Sequence, residues 1–324
     1  MNRRRLGNSG LETPPLALGG NVFGWTADQT ASFAVLDAFV DGGFNLIDTA
    51  DVYSAWAPGN HGGESETIIG KWLKRSGQRS RVLVATKVGM DMGAGKKGLS
   101  RTYIRRAAED SLKRLQTDYI DLYQAHQDDP GTPLEETLGA FAELIQEGKV
   151  VAIGASNYSA ERLDEALKIS GRNGWPRYET LPPEYNLYER AGFEMKLQPL
   201  CRQAELSVIP YYSLASGFLT GKYRSETDLA SKARGQKVKN YLNRRGLQIL
   251  EALDQVAKQY DTKPAQVALA WLAAQPTIAA PIASATTVEQ LRDLMQAAEL
   301  QLDAASIERL NQASATGESA EATA

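Results

Sequence analysis

The chain has 324 residues, of which 43% are hydrophobic and 23% are charged, and its formal net charge is −3. This is the composition of an ordinary globular protein, and it gives no sign of nucleic acid or an anionic membrane surface as a partner. A single cysteine, Cys201, and two histidines, His61 and His126, exclude an intrachain disulfide, a cysteine-rich metal site and a multi-histidine metal centre.

The sequence also lacks the apolar segments that would direct or anchor it elsewhere. Residues 1–12 carry three arginines, yet no apolar run follows them to make a signal peptide. No stretch approaches the roughly 20 apolar residues that a membrane span needs. We therefore expect a soluble, cytoplasmic protein.

Apolar strands and amphipathic helices alternate along the chain, after an N-terminal stretch at residues 6–20 that resembles a hairpin with NSG as its turn. The first helix is predicted at 32–40, with Asp28 near its start as a cap and glycines at 42 and 43 as its stop. Further helices are predicted at 64–74, 102–115, 134–146, 160–169, 245–259, 264–274 and 288–297. Strands are predicted at 44–48, 81–87, 119–126, 150–157, 178–185, 207–212 and 278–285.

This order of elements predicts the fold class. Nearly continuous apolar strands that alternate with single helices are typical of a parallel sheet covered by helices. About eight such units favour a closed barrel over a doubly wound sheet, and no G-x-G-x-x-G follows a predicted strand. We predict an α/β protein, a (β/α)8 TIM barrel with an N-terminal β-hairpin and a C-terminal helix. Residues 1–313 are expected to form one domain, and residues 314–324 a disordered tail.

Three consecutive predicted strands end in Asp48, Lys87 and His126, at equal intervals of 39 residues. In such a barrel the carboxyl ends of the strands surround the active site, so these side chains should share one mouth with Tyr53 from the next loop. Any one of them alone is more often a solvated or structural residue. Together they suggest acid catalysis, because a lysine cation stabilises a phenolate and so helps a tyrosine to donate its proton. We expect Lys87 to lower the pKa of Tyr53, against the opposing effects of burial and of Asp48.

These residues and several motifs resemble the aldo-keto reductases over nearly the whole chain. The motifs are DTADVY (48–53), ATKVG (85–89), DLYQAH (121–126), GASNYS (154–159), PEYNLYER (183–190) and ASGFLTGKY (215–223). The resemblance implies an oxidoreductase in which Tyr53 is the general acid and Lys87 lowers its pKa. It further implies that Asp48 orients Lys87 and that His126 positions the substrate carbonyl.

The resemblance also implies an extended nicotinamide cofactor across the barrel mouth, bound without a Rossmann fold. Ser156 and Asn157 would hydrogen-bond the carboxamide, although both residue types also suit a plain helix cap. Tyr211 would stack on the nicotinamide ring, and Leu214, Ser216 and Gly217 would approach the pyrophosphate. The polar segment 222–240 is interpreted either as a lid over the phosphates or as an ordinary solvated loop.

Two departures from the family pattern bear on the cofactor. Pro182 stands where the family often has a glutamine that contacts the carboxamide. Ser284 and Gln290 stand where a lysine and an arginine would bind an adenosine 2′-phosphate. That phosphate could still be bound by other groups, namely Ser284, Thr286, the backbone amides after Thr287, and Arg292. We expect NADPH as the preferred cofactor, with NADH possible.

The substrate is expected to be a small neutral carbonyl compound or alcohol, because no arginine cluster selects an anion. Trp25, Trp56, Met90 and Met92 are candidates for an apolar substrate wall, and segment 89–100 (GMDMGAGKKGLS) for a gate. Three alternatives stay open: a redox sensor or regulatory subunit with slow turnover, a sugar or polyol dehydrogenase working oxidatively, and an isomerase or lyase that uses Lys87 as a Schiff base. The reaction direction and the oligomeric state are not predicted.

Overall fold

The computed structural model describes residues 2–93, 95–229 and 235–315. The chain begins with a short antiparallel hairpin of β1 (Arg4–Arg5) and β2 (Glu12–Thr13). Eight parallel strands follow in one sheet: β3 (Ala17–Gly19), β4 (Leu46–Asp48), β5 (Leu83–Val88), β6 (Ile120–Ala125), β7 (Val150–Ala155), β8 (Tyr178–Leu181), β9 (Ser207–Val208) and β10 (Ile282–Ala283).

Helices connect the strands and cover the sheet. They are α1 (Gln29–Asp41), α2 (Glu64–Ser76), α3 (Arg101–Leu115), α4 (Leu134–Gln146), α5 (Ala160–Asn173), α6 (Ala191–Glu194), α7 (Leu197–Gln203), α8 (Gly235–Lys239), α9 (Arg244–Gln259), α10 (Pro264–Ala274), α11 (Val288–Met295) and α12 (Ala304–Ser314). None of the helices within the described ranges is both long enough and apolar enough to cross a lipid bilayer.

The sheet curls so that its two ends meet. Its strand order is β10-β3-β4-β5-β6-β7-β8-β9, and β9 bonds to the segment that leads into β10. The Val208 amide donates to the Thr277 carbonyl at 2.8 Å, and the Ala279 amide donates to the Val208 carbonyl at 2.8 Å. A third bond, from the Ile282 amide to the Pro210 carbonyl, measures 2.9 Å. These backbone bonds complete the ring, and the predicted (β/α)8 barrel is confirmed.

Apolar residues fill both the inside of the barrel and the layer between its strands and helices. The inner cluster contains Leu46, Ala85 and Leu122 from neighbouring strands, and Leu6 from the N-terminal hairpin packs with them, fully buried. The hairpin therefore closes one end of the barrel. The opposite end, where the parallel strands finish, is left for a site.

Polar side chains fix the starts of several helices, as is usual for the unpaired amides of a first turn. Asp28 caps α1 as predicted, because its carboxylate accepts from the Ala31 amide at 2.8 Å. Ser100, Ser159 and Thr287 make the same kind of contact at the starts of α3, α5 and α11. These caps set where each helix leaves the preceding loop.

Several predicted boundaries were wrong. The N-terminal hairpin ends at Thr13, and Ala17–Gly19, which was included in it, is the first barrel strand. The strands predicted at 178–185, 207–212 and 278–285 are shorter. The first two continue as irregular chain at the barrel mouth, and residues 278–281 form irregular chain that leads into β10. Helices α6 and α7 were not predicted, because the segment between β8 and β9 has a weak apolar period.

Two polar segments lie partly outside the described residues. Within 222–240, the structure has a short 3-10 helix, Glu226–Leu229, and α8, while residues 230–234 are not described. At the C-terminus, α12 extends to Ser314, whose side chain is fully buried. The sequence predicted that the tail begins at residue 314, but Ser314 belongs to α12. Residues 316–324 lie outside the described residues.

The cysteine lies far inside the protein. Cys201 belongs to α7 and is fully buried against the apolar layer. Burial raises the pKa of its thiol to about 12, because a thiolate would lose its hydration there.

Candidate active site

The mouth of the barrel brings together the strand-end residues that the sequence singled out. Asp48 is the last residue of β4, Lys87 lies in β5, and His126 directly follows β6. The strands run in parallel register, with Asp48 opposite Ala85 and Lys87 opposite Gln124. Neighbouring strands therefore deliver the three side chains to the same end of the barrel.

Lys87 occupies the centre of this group. Its Nζ donates to Asp48 Oδ1 at 2.6 Å, to the Thr49 carbonyl at 2.9 Å and to the Tyr53 hydroxyl at 3.1 Å. The side chains of Lys87 and Asp48 are each only 3% exposed. An ammonium group has three donors, and here each has an acceptor, so the charged form of Lys87 is fully satisfied.

The hydroxyl of Tyr53 contacts both Lys87 and Asp48. It donates to Asp48 Oδ2 at 3.1 Å while it accepts from Lys87. Desolvation by burial, followed by the negative charge of Asp48, raises the pKa of Tyr53 well above its ordinary value. This direction of the pKa shift is opposite to the lowering expected from Lys87, because burial and the charge of Asp48 both favour the protonated phenol. Tyr53 thus holds its proton firmly in this state.

His126 lies beside the tyrosine as a neutral imidazole. The two rings meet edge to face, with centroids 5.9 Å apart and an interplanar angle of 69°. Burial, and then the positive charge of Lys87, lowers the pKa of His126 well below its ordinary value. Its Nδ1 is buried and has no hydrogen-bond partner in the part of the chain that the structure describes. An uncharged His126 can offer one N–H to a ligand without adding charge to the site.

Aromatic rings extend from Tyr53 along the rim of the mouth. Trp56 lies 6.0 Å from Tyr53, and Trp25 lies 5.7 Å from Trp56 between ring centroids, both in edge-to-face contact. Trp56 is 49% exposed, which leaves one side of this row open to a ligand. Met90 and Met92 follow β5 in the loop at the same end of the barrel, and both are half-buried.

The three residues expected at the nicotinamide form one hydrogen-bonded group. The Tyr211 hydroxyl donates to Asn157 Oδ1 at 2.8 Å, and Asn157 Nδ2 donates to the His126 carbonyl at 2.8 Å. Ser156 Oγ donates to the carbonyl of Pro182 at 2.8 Å. Asn157 is exposed and has a left-handed φ of 56°. The helix cap is Ser159 instead, so capping does not account for Ser156 and Asn157.

The segment expected at the pyrophosphate has an unusual backbone. Ser216 and Gly217, which follow Leu214, have φ values of 57° and 95°, inside a short 3-10 helix, Ala215–Thr220. A Cβ atom at Gly217 would lie 3.6 Å from Nζ of Lys222. The glycine therefore leaves a ligand room to approach a cation at this point.

The residues expected at the 2′-phosphate lie just before α11 and along it. Thr286 donates through its amide to Gln290 Oε1 at 3.0 Å, and its hydroxyl donates to the same oxygen at 3.1 Å. Ser284 Oγ lies 2.6 Å from Asn21 Oδ1 in a hydrogen bond. Arg292 lies on the same helix and is exposed.

One polar group behind the mouth was not predicted from the sequence. Asp51, Glu66 and Arg114 lie close together between the barrel and helices α2 and α3. Both acids are almost fully buried, at 2% and 0% exposure. A signal existed, because Glu66 shares the apolar face of α2 with Ile69 and Leu73, where a carboxylate is unexpected.

Comparison with known proteins places this geometry in context. Residues 15–315 match the model of the Aldo/keto reductase family. The chain is 38% identical over 313 residues to the uncharacterized oxidoreductase YrpG of Bacillus subtilis strain 168, an alignment that covers 94% of each chain. It is 33% identical to protein tas of Escherichia coli strain K12, over 93% of this chain and 94% of that one. It is also 34% identical to a probable voltage-gated potassium channel subunit beta of Oryza sativa subsp. japonica, over 93% and 92% of the two chains.

Proposed function

This chain belongs to the aldo/keto reductase family, and we propose that it is an NAD(P)H-dependent reductase of small aldehydes, ketones or sugars with Tyr53 as the proton donor. The family is one of oxidoreductases that use nicotinamide cofactors. The observation that carries the proposal is the position of Lys87 Nζ, 2.6 Å from Asp48 and 3.1 Å from the Tyr53 hydroxyl. We retain a single domain over residues 1–313 and a cytoplasmic location as predictions.

The described residues fit a bound nicotinamide cofactor. The room beside Gly217, next to the ammonium group of Lys222, suits a pyrophosphate, and the ring of Tyr211 suits a planar base. Asn157 is exposed and offers a carboxamide to a ligand at the same mouth. When bound, a reduced nicotinamide supplies the hydride that the carbonyl carbon accepts.

The residues of the mouth supply the proton and the placement. Tyr53 enters the reaction protonated, and it donates to the carbonyl oxygen as negative charge develops there. An alkoxide is a stronger base than a phenolate, so this transfer stays favourable although the pKa of Tyr53 is raised. Lys87 then stabilises the phenolate, Asp48 holds the ammonium group of Lys87 in place, and the neutral His126 orients the carbonyl through an N–H.

We propose NADPH as the preferred cofactor, with NADH also accepted. Support for NADPH comes from the hydroxyls of Ser284 and Thr286, just before α11, and from the exposed Arg292 in the last turn of that helix. A neutral Gln290 in place of a cation removes a charge-assisted contact, which argues against strict specificity.

We propose that the substrate has an apolar, preferably aromatic, body. The row of Trp25, Trp56 and Tyr53 presents ring faces and edges beside the proton donor, and Trp56 is open to solvent. Met90 would extend this wall from the next loop. Replacing Trp56 with alanine should raise the KM for an aromatic aldehyde more than the KM for a short aliphatic one.

A redox sensor or regulatory subunit with slow turnover is the second candidate. The similarity to the probable potassium channel subunit beta of rice favours it. Cofactor that stays bound through purification, together with negligible turnover, would support this candidate over the reductase.

An oxidative dehydrogenase and a Schiff-base enzyme would use the same residues differently. A sugar or polyol dehydrogenase needs only the reverse reaction, so a substrate panel measured in both directions separates it from the reductase. A Schiff-base enzyme needs an uncharged Lys87, whereas all three donors of this lysine have acceptors. Trapping of a substrate on Lys87 by borohydride would support the Schiff-base enzyme despite these contacts.

The test compares wild type with Tyr53→Phe, using NADPH and NADH oxidation by a reactive aromatic aldehyde. Cofactor binding is measured in parallel by fluorescence, and Tyr260→Phe, at the end of α9, is the matched control. We expect Tyr53→Phe to bind cofactor and to lose at least 100-fold in kcat, within the usual range for a general acid. Equal activity in both proteins would refute the assignment.

A further inference from the structure

Asp51 is a buried acid that the proposed mechanism does not use. It lies between Asp48 and Tyr53 in the chain, and it is 2% exposed. Neither of its carboxylate oxygens has a hydrogen-bond partner among the described residues. A carboxylate is rarely buried in this way, since it normally requires donors or a cation to replace its lost hydration.

The nearby cations already have other partners. Arg114 donates through Nε to Glu66 Oε2 at 2.7 Å, and Lys87 donates to Asp48 at 2.6 Å. The titratable groups around Asp51 come from four elements: Glu66 of α2, Tyr103 and Arg114 of α3, Lys87 of β5, and Tyr123 of β6. Two cations, Lys87 and Arg114, therefore face three carboxyl groups. Lys87 pairs with Asp48 and Arg114 pairs with Glu66, so Asp51 has no paired cation among the described residues.

A second unpaired group lies in the same region. The hydroxyl of Tyr123 is buried and has no hydrogen-bond partner among the described residues, and its surroundings include Asp51. A protonated carboxyl group can both donate and accept, whereas a carboxylate only accepts. Both unpaired groups are less costly to bury when Asp51 carries a proton, because the region then holds equal numbers of positive and negative charges.

We propose that Asp51 is protonated at neutral pH and that its ionisation in alkaline solution slows proton donation by Tyr53. Asp51 is thus a positioning residue that sets the alkaline limit of turnover, an inference that rests on the proposed role of Tyr53. Its ionisation adds a negative charge behind Lys87, and that charge opposes the phenolate that Tyr53 becomes. Burial, followed by the charge of Glu66, raises the pKa of Asp51 to about 8, whereas Arg114 and Lys87 lower it.

The test is the dependence of kcat on pH, from pH 6 to 10, for wild type, Asp51→Asn and the control Asp118→Asn. Asp118 is an exposed aspartate before β6, outside the mouth. We expect kcat of wild type and of the control to fall several-fold between pH 7 and 9, and kcat of Asp51→Asn to stay level. The same decline in all three proteins would overturn the proposal.

Infrared spectroscopy tests protonation without turnover. Wild type should show the carbonyl band of a protonated carboxylic acid at pH 6.5, and the band should weaken by pH 9.5 and be missing from Asp51→Asn. Without that band in wild type, the proposal fails even if the variant does not fold. If wild type shows the band but has no turnover at any pH, the proposed reductase function has failed, and the role of Asp51 in catalysis fails with it.

Discussion

Replacing Lys87 with methionine should separate the stability of the site from its activity. Lys87 and Asp48 are each 3% exposed, and their charged atoms lie 2.6 Å apart. At an effective dielectric constant of about 20, this separation corresponds to a gross attraction of about 6 kcal/mol, which the cost of desolvation largely offsets. Lys87→Met leaves Asp48 buried with the Tyr53 hydroxyl as its remaining side-chain donor, so we expect a loss of about 3–5 kcal/mol in the free energy of unfolding.

The double variant Asp48→Asn/Lys87→Met removes both charges. It should recover at least half of that loss, because no unpaired charge is left in the core. For a chain of this size, about 1 kcal/mol corresponds to roughly 2 °C in Tm, so circular dichroism should show Lys87→Met melting about 6–10 °C below wild type. Neither variant should turn over substrate, since the phenolate loses its cation. A double variant no more stable than Lys87→Met would refute the charge argument, and an active Lys87→Met would refute the role of Lys87 in catalysis.

Three further predictions concern stability and the cofactor. Asp51 has a folded-state pKa of about 8 against an ordinary 3.8, so its protonation stabilises the fold below about pH 4 and this contribution is lost as the pH rises to about 8. In urea unfolding, the free energy of unfolding of Asp51→Asn should therefore rise by roughly 5 kcal/mol relative to that of wild type between pH 4 and 8. A difference that does not change with pH would contradict this. Gly70→Ala should cost about 1–3 kcal/mol, because the new methyl group would overlap the Arg114 carbonyl, whereas Gly171→Ala, with open space around it, should be neutral or stabilise by up to about 1 kcal/mol. Gln290→Arg should lower the KM for NADPH roughly tenfold and leave that for NADH unchanged, as steady-state kinetics would show; an equal change in both would argue against a 2′-phosphate site at α11.

The periodicity of apolar residues and the residues that start and stop helices were enough to predict the barrel, since each strand-helix unit carries its own local signals. The alternation of apolar strands with helices was predicted, and for the helix at 134–146 the bounds of α4 match to the residue. The hairpin boundary failed because residues 14–20 read equally well as the second arm of a hairpin or as a barrel strand. Only pairing with β4 and β10, which is set by distant parts of the chain, decides between them.

The candidate site shows the same division between local and distant information. Equal spacing placed Asp48, Lys87 and His126 at one mouth, because position along a parallel strand is a local property. The direction in which the pKa of Tyr53 shifts could not be predicted from the sequence, since it depends on how much water the folded mouth excludes. Asp51 was overlooked for a related reason: whether a polar residue in a loop is solvated or enclosed depends on the helices that pack over it, here α2 and α3.

The enclosed cysteine of α7 makes the protein its own reporter of local opening. Cys201 is the one thiol in the sequence, and it is fully buried, with its pKa raised to about 12. A disulfide reagent can react only when α7 separates from the apolar layer beneath it, so the labelling rate measures the free energy of that separation without an engineered cysteine. Dissolved oxidants meet the same barrier, and they should modify the thiol of the folded chain far more slowly than that of the unfolded chain.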